Sequence, residues 1–435
     1  MLRNRPVCFA LLVAAVVLAP VTHVAAASAP ASAALSGPVD STASRALADA
    51  DPQSAPAIDA LGNVDGAAVE PNTSNYLGLR SEAVERTDFE RAGLDVGGAI
   101  QRDVTDLHSE YAALTFERRL GNTTGRAARL DVLRAEVDRL EGRVQELEIV
   151  RNRAIDAYNG GDIGTVAFVR RLAALDAAAR GVDLRAERIR EAAGLALPSE
   201  LGTKLANLEA DLLTLRGPVR HQIARAMSGA RQPVPVYAVT SETGIVLAST
   251  TGSQYYREAY LGQNRKQIGR NNFVSGSDPS GISTANSRAT QLYPWVYDNI
   301  RSGPNVEIVG NTSVYYVELG HPQGSLDTYL DGRSEDAYRE FQVKSLPDLP
   351  TRTTRNVSRN VRLQVNRTHS TGPMEVGVTD NLTGRPLEAT VSVNGVVVGS
   401  TGEDGRLWTL TPHQTVRIQV TTADNRTVRE RFFAG

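Results

Sequence analysis

The residues best placed to do chemistry gather around one histidine. His321 precedes Asp327 and Asp331, and a distant serine could complete a nucleophile–base–acid set, since such sets are defined by geometry and not by spacing. The adopted reading is plainer: His321-Pro322-Gln323-Gly324 is a turn that the aspartates cap. Asp278, Asp331, Glu335 and Asp336 supply the hard oxygens that calcium takes, but without EF-hand spacing. Tyr255, Tyr256, Tyr260, Tyr293 and Trp295 could stack on a sugar or small ligand. A small domain needs the same rings for its core, and that use is expected. There is no G-x-S-x-G elbow, no H-E-x-x-H, no P-loop and no G-x-G-x-x-G after a strand. No catalytic, cofactor or metal residue is therefore assigned. Seven N-x-S/T sequons remain: Asn72, Asn122, Asn311, Asn356, Asn366, Asn381 and Asn425. They are candidate glycosylation sites if the chain is exported.

Export is what the N-terminus implies. Met1-Leu2-Arg3-Asn4-Arg5 is a cationic start, Cys8 to Leu18 is apolar, and small residues surround Ala25-Ala26-Ala27. That is the pattern of a secretory signal cleaved near Ala27. The alternative is an uncleaved anchor over Cys8 to Ala27, about long enough to span a bilayer, and membrane association is expected only in that case. Cys8 is the only cysteine, so the mature chain would have no disulfide, thiolate metal site or thiol nucleophile. A formal charge of −2 argues against a nucleic-acid partner. Lysine occurs only as Lys204, Lys266 and Lys344, and the remaining basic residues are arginine.

The elements that must position these residues fall into blocks. Residues 28–74, rich in Ala, Ser, Pro, Gly and Asp, read as a disordered acidic linker. Residues 75–230 read as an antiparallel helical bundle or coiled coil. Leu130, Leu133, Val137, Leu140, Val144 and Leu147 form one 3-4 seam; Phe168, Leu172, Leu175, Ala179, Val182, Ala186 and Ile189 form a second. Leu201, Leu205, Leu208, Leu212, Leu215, Val219 and Ile223 form a third. Ile100, Val104, Leu107, Tyr111 and Leu114 form a weaker fourth. Four helices of roughly 25–35 residues are expected. Residues 233–346 open on an alternating hairpin, pass through a mixed, loop-rich stretch with one helix near Thr290 to Ile300, and end in two more strand pairs, giving an α+β domain with an antiparallel sheet. Residues 347–360 read as a polar linker, and 361–435 as an all-β sandwich with tight turns at Asn394-Gly395 and Asp404-Gly405.

Several stretches resemble known families. Val236-Tyr237-Ala238-Val239-Thr240 to Thr250 is similar to the start of an extracytoplasmic PAS-like (Cache) sensor domain. The hairpin from Leu326 to Val343 is similar to that of PepSY-type modules. Thr383-Gly384-Arg385-Pro386-Leu387, Ala389 to Val393 and Ser400 to Arg406 resemble the carboxypeptidase regulatory-like, transthyretin-like sandwich, which implies a non-catalytic accessory module. The whole arrangement looks like uncharacterised secreted haloarchaeal families, which implies a location and no activity. The expectation is an exported, cell-surface or secreted, non-enzymatic protein with a structural or binding role. Its partner would be an envelope protein or glycan. Ligand sensing by 233–346, or a hydrolase with a non-local site, are the alternatives. The oligomeric state is left open.

Overall fold

Strand β1 (Arg86–Ala92) precedes the helices, yet it belongs to the sheet that follows them. The computed structural model describes residue 74 and residues 77–310, 312–369, 371–412 and 415–433. The expected signal at 1–27 lies outside them, as does the expected linker 28–74 apart from Ser74. β1 pairs antiparallel with β2 (Val234–Thr240), from Arg86 opposite Thr240 to Ala92 opposite Val234. The chain thus leaves the sheet at Ala92, builds five helices, and re-enters beside its point of departure. The block 75–230 is therefore not helical throughout.

The helices are α1 (Val96–Asn122), α2 (Arg126–Asn159), α3 (Thr165–Ala193), α4 (Ser199–Leu212) and α5 (Pro218–Met227). The α2 seam is buried from Leu133 to Leu147, and the α3 seam from Phe168 to Ile189. Tyr158 of α2 stacks on Phe168 of α3, centroids 4.3 Å apart. α3 packs against each of the other four helices. Its small residues allow that: a Cβ at Gly181 would collide with the Ser109 side chain of α1. The third seam is buried but shared by two helices, so four long helices become three long and two short. Pro218 stands in the first turn of α5, where a missing N–H leaves no hydrogen bond unmade.

The fourth seam faces the other way. Ile100, Leu107, Tyr111 and Leu114 are between 57% and 70% exposed. α1 instead buries Ala113, Phe116 and Leu120, with Gly98, Ala99, Ser109 and Ala112 partly covered. Small residues bring the α1 and α3 backbones close, and Phe116 and Leu120 anchor the end of α1 in the core, which leaves the fourth seam outside.

The sheet continues with β3 (Gly244–Thr251) and β4 (Gln254–Leu261). After α6 (Ile282–Leu292) and α7 (Pro294–Asp298) come β5 (Ser302–Ile308), β6 (Val314–His321), β7 (Gly324–Asp331) and β8 (Asp336–Ser345). The strand order is β1-β2-β3-β4-β8-β7-β6-β5, so the chain reappears at the far edge and walks inward until β8 pairs with β4. Helices α2 to α5 cover one face through Val236, Ala238, Ile245 and Leu247. The other face is covered as well, so β2 and β3 are buried on both sides although their sequences read as alternating.

The C-terminal strands form two four-stranded sheets. β14 (Arg406–Leu410), β11 (Pro373–Asp380), β10 (Val361–Arg367) and β9 (Arg352–Ser358) make one. β13 (Val396–Ser400), β12 (Ala389–Val393), β15 (Thr415–Thr422) and β16 (Thr427–Phe433) make the other. Asn394 (φ 51°) and Gly395 (φ 90°) both take the left-handed conformation that the two-residue hairpin turn requires. The stretch 347–360, expected as a linker, carries β9. It reads as polar because β9 is an edge strand with exposed residues on both sides. Leu363, Val376, Val391 and Ile418 line the sandwich interior, in one continuous core with Phe89 of β1 and Tyr237 of β2.

Candidate functional site at the buried polar seam

Two Tyr-Arg-Glu triplets, Tyr256-Arg257-Glu258 on β4 and Tyr338-Arg339-Glu340 on β8, lie on neighbouring antiparallel strands. Strand alternation sends each arginine and the following glutamate to opposite faces. The triplets then pair crosswise. On one face Arg257 Nη1 is 2.9 Å from Glu340 Oε1; on the other, Arg339 Nη2 is 3.7 Å from Glu258 Oε1. All four side chains are buried.

On the helical face, Glu258 Oε1 accepts from Arg220 Nε at 2.8 Å, and Oε2 accepts the Val219 backbone N–H at 3.0 Å. The carboxylate therefore caps the N-terminus of α5, where the helix dipole favours negative charge. Arg220 Nη1 donates to the Leu215 carbonyl at 2.6 Å, and Arg339 donates to the Arg216 carbonyl. Gly217 is required at this junction, because a Cβ would land on the Glu258 carboxylate. Burial pushes the Arg339 guanidinium down to about 10, against the pull of Glu258.

On the opposite face, Glu340 Oε2 accepts the Tyr293 hydroxyl at 2.9 Å and the Leu77 N–H at 2.5 Å. Gln342 Nε2 donates to Oε1 at 2.8 Å, and Arg257 Nη2 reaches the Leu77 carbonyl at 2.5 Å. Ser74 donates to Gln342 at 2.8 Å, so it belongs to the folded body and not to a linker. Burial raises the Glu340 carboxyl, opposed chiefly by Arg257, and burial also raises the Tyr293 phenol well above its usual value. With its oxygens engaged by these donors, Glu340 offers no free position for a base or a ligand. The cluster's chemistry is attachment: it ties the segment before β1, the sheet and the helices together.

The sequence candidates are not brought together. His321 pairs with Gly324 at one end of the β6–β7 hairpin, and Asp331 pairs with Val314 at the other, roughly 20 Å away. Asp327 lies nearer but on the opposite face, where it accepts the Tyr316 hydroxyl at 3.1 Å. Asp331 accepts the Lys266 and Arg333 N–H groups at 2.6 and 3.1 Å, which organises the loops it touches. Asp278 accepts the Thr284 N–H at 2.8 Å at the start of α6. Asp336 pairs with Arg288 at 3.1 Å, and Arg288 also reaches the Glu335 carbonyl at 2.7 Å. Among the described residues, no group of three or more His, Cys, Asp or Glu side chains is placed to hold a metal ion. Tyr255, Tyr260 and Tyr293 are buried, Tyr256 is partly buried, and Trp295 packs against the core.

His321 itself is a buried neutral imidazole. Its ring meets Trp295 edge-on at 5.5 Å, and Nδ1 accepts the Gln323 N–H at 3.3 Å. Burial, with Lys344 adding to it, pushes its pKa down to about 4. Below pH 6.5 the unfolded chain then binds a proton that the folded chain refuses, so stability falls as pH drops from about 6.5 through 4. We expect wild type to lose up to about 3 kcal/mol relative to His321→Gln across that window, read by urea denaturation at stepped pH. Parallel pH profiles for the two proteins would remove His321 as the cause.

The sequons divide by what their side chains do. Asn122, at the end of α1, and Asn425, in the β15–β16 turn, are exposed. Asn381 accepts from Arg362 at 2.9 Å through its oxygen. Asn356 Nδ2 donates to the Arg429 carbonyl at 2.7 Å, and Asn366 Nδ2 to Glu375 at 2.7 Å. Asn72 and Asn311 lie outside the described residues. Beside Asn356 a groove of about 850 Å³ opens on the sandwich, lined by Asn394, Arg417, Arg429, Glu430 and Arg431 among others. Arg417 and Arg431 stand directly opposite each other on β15 and β16.

Residues 1–232 match the family described as a domain of unknown function (DUF7096). The chain belongs to that family. In this DUF7096 protein, residues 236–350 match a second family of unknown function (DUF7094), and residues 352–429 match an archaeal fibronectin-III type-like domain. No curated protein and no solved structure matches the chain. The last match starts where β9 starts, in agreement with its place in the sandwich. The first boundary falls between β1 and its sheet partner β2, so the matched segments are not separate folding units. Sequence reasoning missed the crossed ion pairs. The signal available was the repeated Tyr-Arg-Glu triplet, once in the segment read as a strand from Ala337 to Val343 and once in the stretch read as mixed and loop-rich.

Proposed function

We propose that this protein is an exported, non-enzymatic component of an archaeal cell envelope, with a structural and binding role. Its N-terminal segment acts as a secretory signal, and its C-terminal sandwich is the binding module. The resemblance to carboxypeptidase regulatory-like, transthyretin-like sandwiches and to secreted haloarchaeal families points the same way. The observation that carries the reading is the arginine-lined groove. Arg417 and Arg431 are exposed, directly opposed, and in no ion pair among the described residues. Like charges directly opposite across a strand pair are destabilising. An anionic partner relieves that repulsion, and a polyanionic envelope glycan matches an exposed groove of this size. The helices and the eight-stranded sheet form the rigid support behind it.

Protease shaving of intact cells tests this. The protein should disappear from the envelope fraction while a cytoplasmic marker survives. The double variant Arg417→Ser/Arg431→Ser should wash off the envelope at lower salt than wild type. Protection from protease on intact cells would defeat the surface assignment, and identical salt release would defeat the glycan assignment.

A further inference from the structure

We propose that α1 is a self-association helix, pairing in parallel with α1 of a second copy of this chain. The observation is a helix with a second apolar face left uncovered. α1 packs on α3 through small residues and buries Phe116 and Leu120 near its end, yet it turns a second apolar stripe to solvent, Leu107 at 64% and Tyr111 at 70% exposure. Helices of soluble domains normally bury that face, and a contiguous exposed apolar stripe marks an interaction site. The spacing identifies the kind of interaction. Ile100, Val104, Leu107, Tyr111 and Leu114 step by 4, 3, 4 and 3, which is the seam of a coiled coil and narrower than the face of a globular helix.

Charge selects the orientation and the occupant. With Val104 and Tyr111 at a, and Ile100, Leu107 and Leu114 at d, the g positions are Asp103, Glu110 and Glu117. The e positions are Gln101, His108 and Thr115. An antiparallel pair places g against g, acid against acid. A parallel pair places g against e, so Asp103 meets the partner's His108 and Glu110 meets the partner's Thr115. Glu117 is already held in its own chain by Arg188 at 3.4 Å. The same acidic rim argues against a lipid surface as occupant, because helices that lie in membranes flank their apolar face with Lys and Arg. Two heptads are a short seam, so the dimer should be of roughly micromolar affinity.

The test uses the full chain carrying Cys8→Ser. Sedimentation equilibrium should show a monomer–dimer equilibrium, and Leu107→Glu should weaken it at least tenfold without changing the far-ultraviolet circular dichroism. Introducing Leu107→Cys should give a disulfide-linked homodimer on mild oxidation, as the facing d positions of an in-register parallel pair require. Leu114→Ser provides a milder second variant, with weaker dimerisation again expected. A wild type that stays monomeric overturns the proposal, as does a dimer indifferent to both substitutions. Failure of Leu107→Cys to cross-link overturns the parallel register. Flotation of monomeric protein with lipid vesicles would assign the stripe to a membrane instead.

Discussion

Replacing Glu258 with alanine should destabilise the fold by about 3–5 kcal/mol, because two buried guanidinium groups lose their counter-charge together. Glu258 lies 2.8 Å from Arg220 and 3.7 Å from Arg339, and all three are buried. The change also removes the carboxylate that accepts the Val219 N–H at the start of α5. Glu258→Gln should cost nearly as much, since it keeps the shape and discards the charge. The triple change Arg220→Met/Glu258→Leu/Arg339→Met should recover most of the loss, because a buried ion cluster seldom outperforms apolar packing of similar volume. Denaturant midpoints of the three variants decide the matter. A loss under about 1 kcal/mol for Glu258→Ala would show that water reaches the cluster and screens it.

Leu140→Asp should cost more than about 4 kcal/mol and unfold much of the helical block. Leu140 is fully buried on α2, between Val137 and Val144 of the same seam. A carboxylate there must be either desolvated or protonated, and it leaves the space of the lost methyl groups poorly filled. Arg143, one turn along and on the outer side, provides the control: Arg143→Ala should stay within about 0.5 kcal/mol of wild type. Thermal melting followed by circular dichroism separates the two. Equal melting of Leu140→Asp and wild type would refute the seam.

What could be read from the sequence depended on residue size and on sequence distance. The seams of α2 and α3 were legible because large apolar residues recur at 3-4 spacing with charges outside them. α1 misled for the same reason in reverse. Along most of its length its inner face is Gly98, Ala99, Ser109, Ala112 and Ala113, which carry little hydropathy signal, with Phe116 and Leu120 only near its end, while its outer face carries Leu107 and Tyr111. β1 was illegible: it holds a single large apolar residue, Phe89, and its partner β2 lies beyond five helices. β9 was hidden by its exposure on both sides. The buried charges of β8 were read as ordinary strand residues, because alternation alone cannot tell that both faces of the sheet will be covered, and β4 was hidden in a stretch read as loop-rich because its Arg257 and Glu258 interrupt the apolar pattern. The individual sequons and the His321 group could be named from sequence. Which of them point outward, or toward one another, depended on strand register.

The central claim, that this chain is exported and displayed, is tested most directly by an intact and peptide-level mass spectrum of the protein from its native cells. The expected chain starts just after Ala27 and carries glycan on Asn122 or Asn425, with Asn366 bare because its amide is held by Glu375. An unmodified chain that retains Met1 and is recovered from the cytoplasm would contradict it.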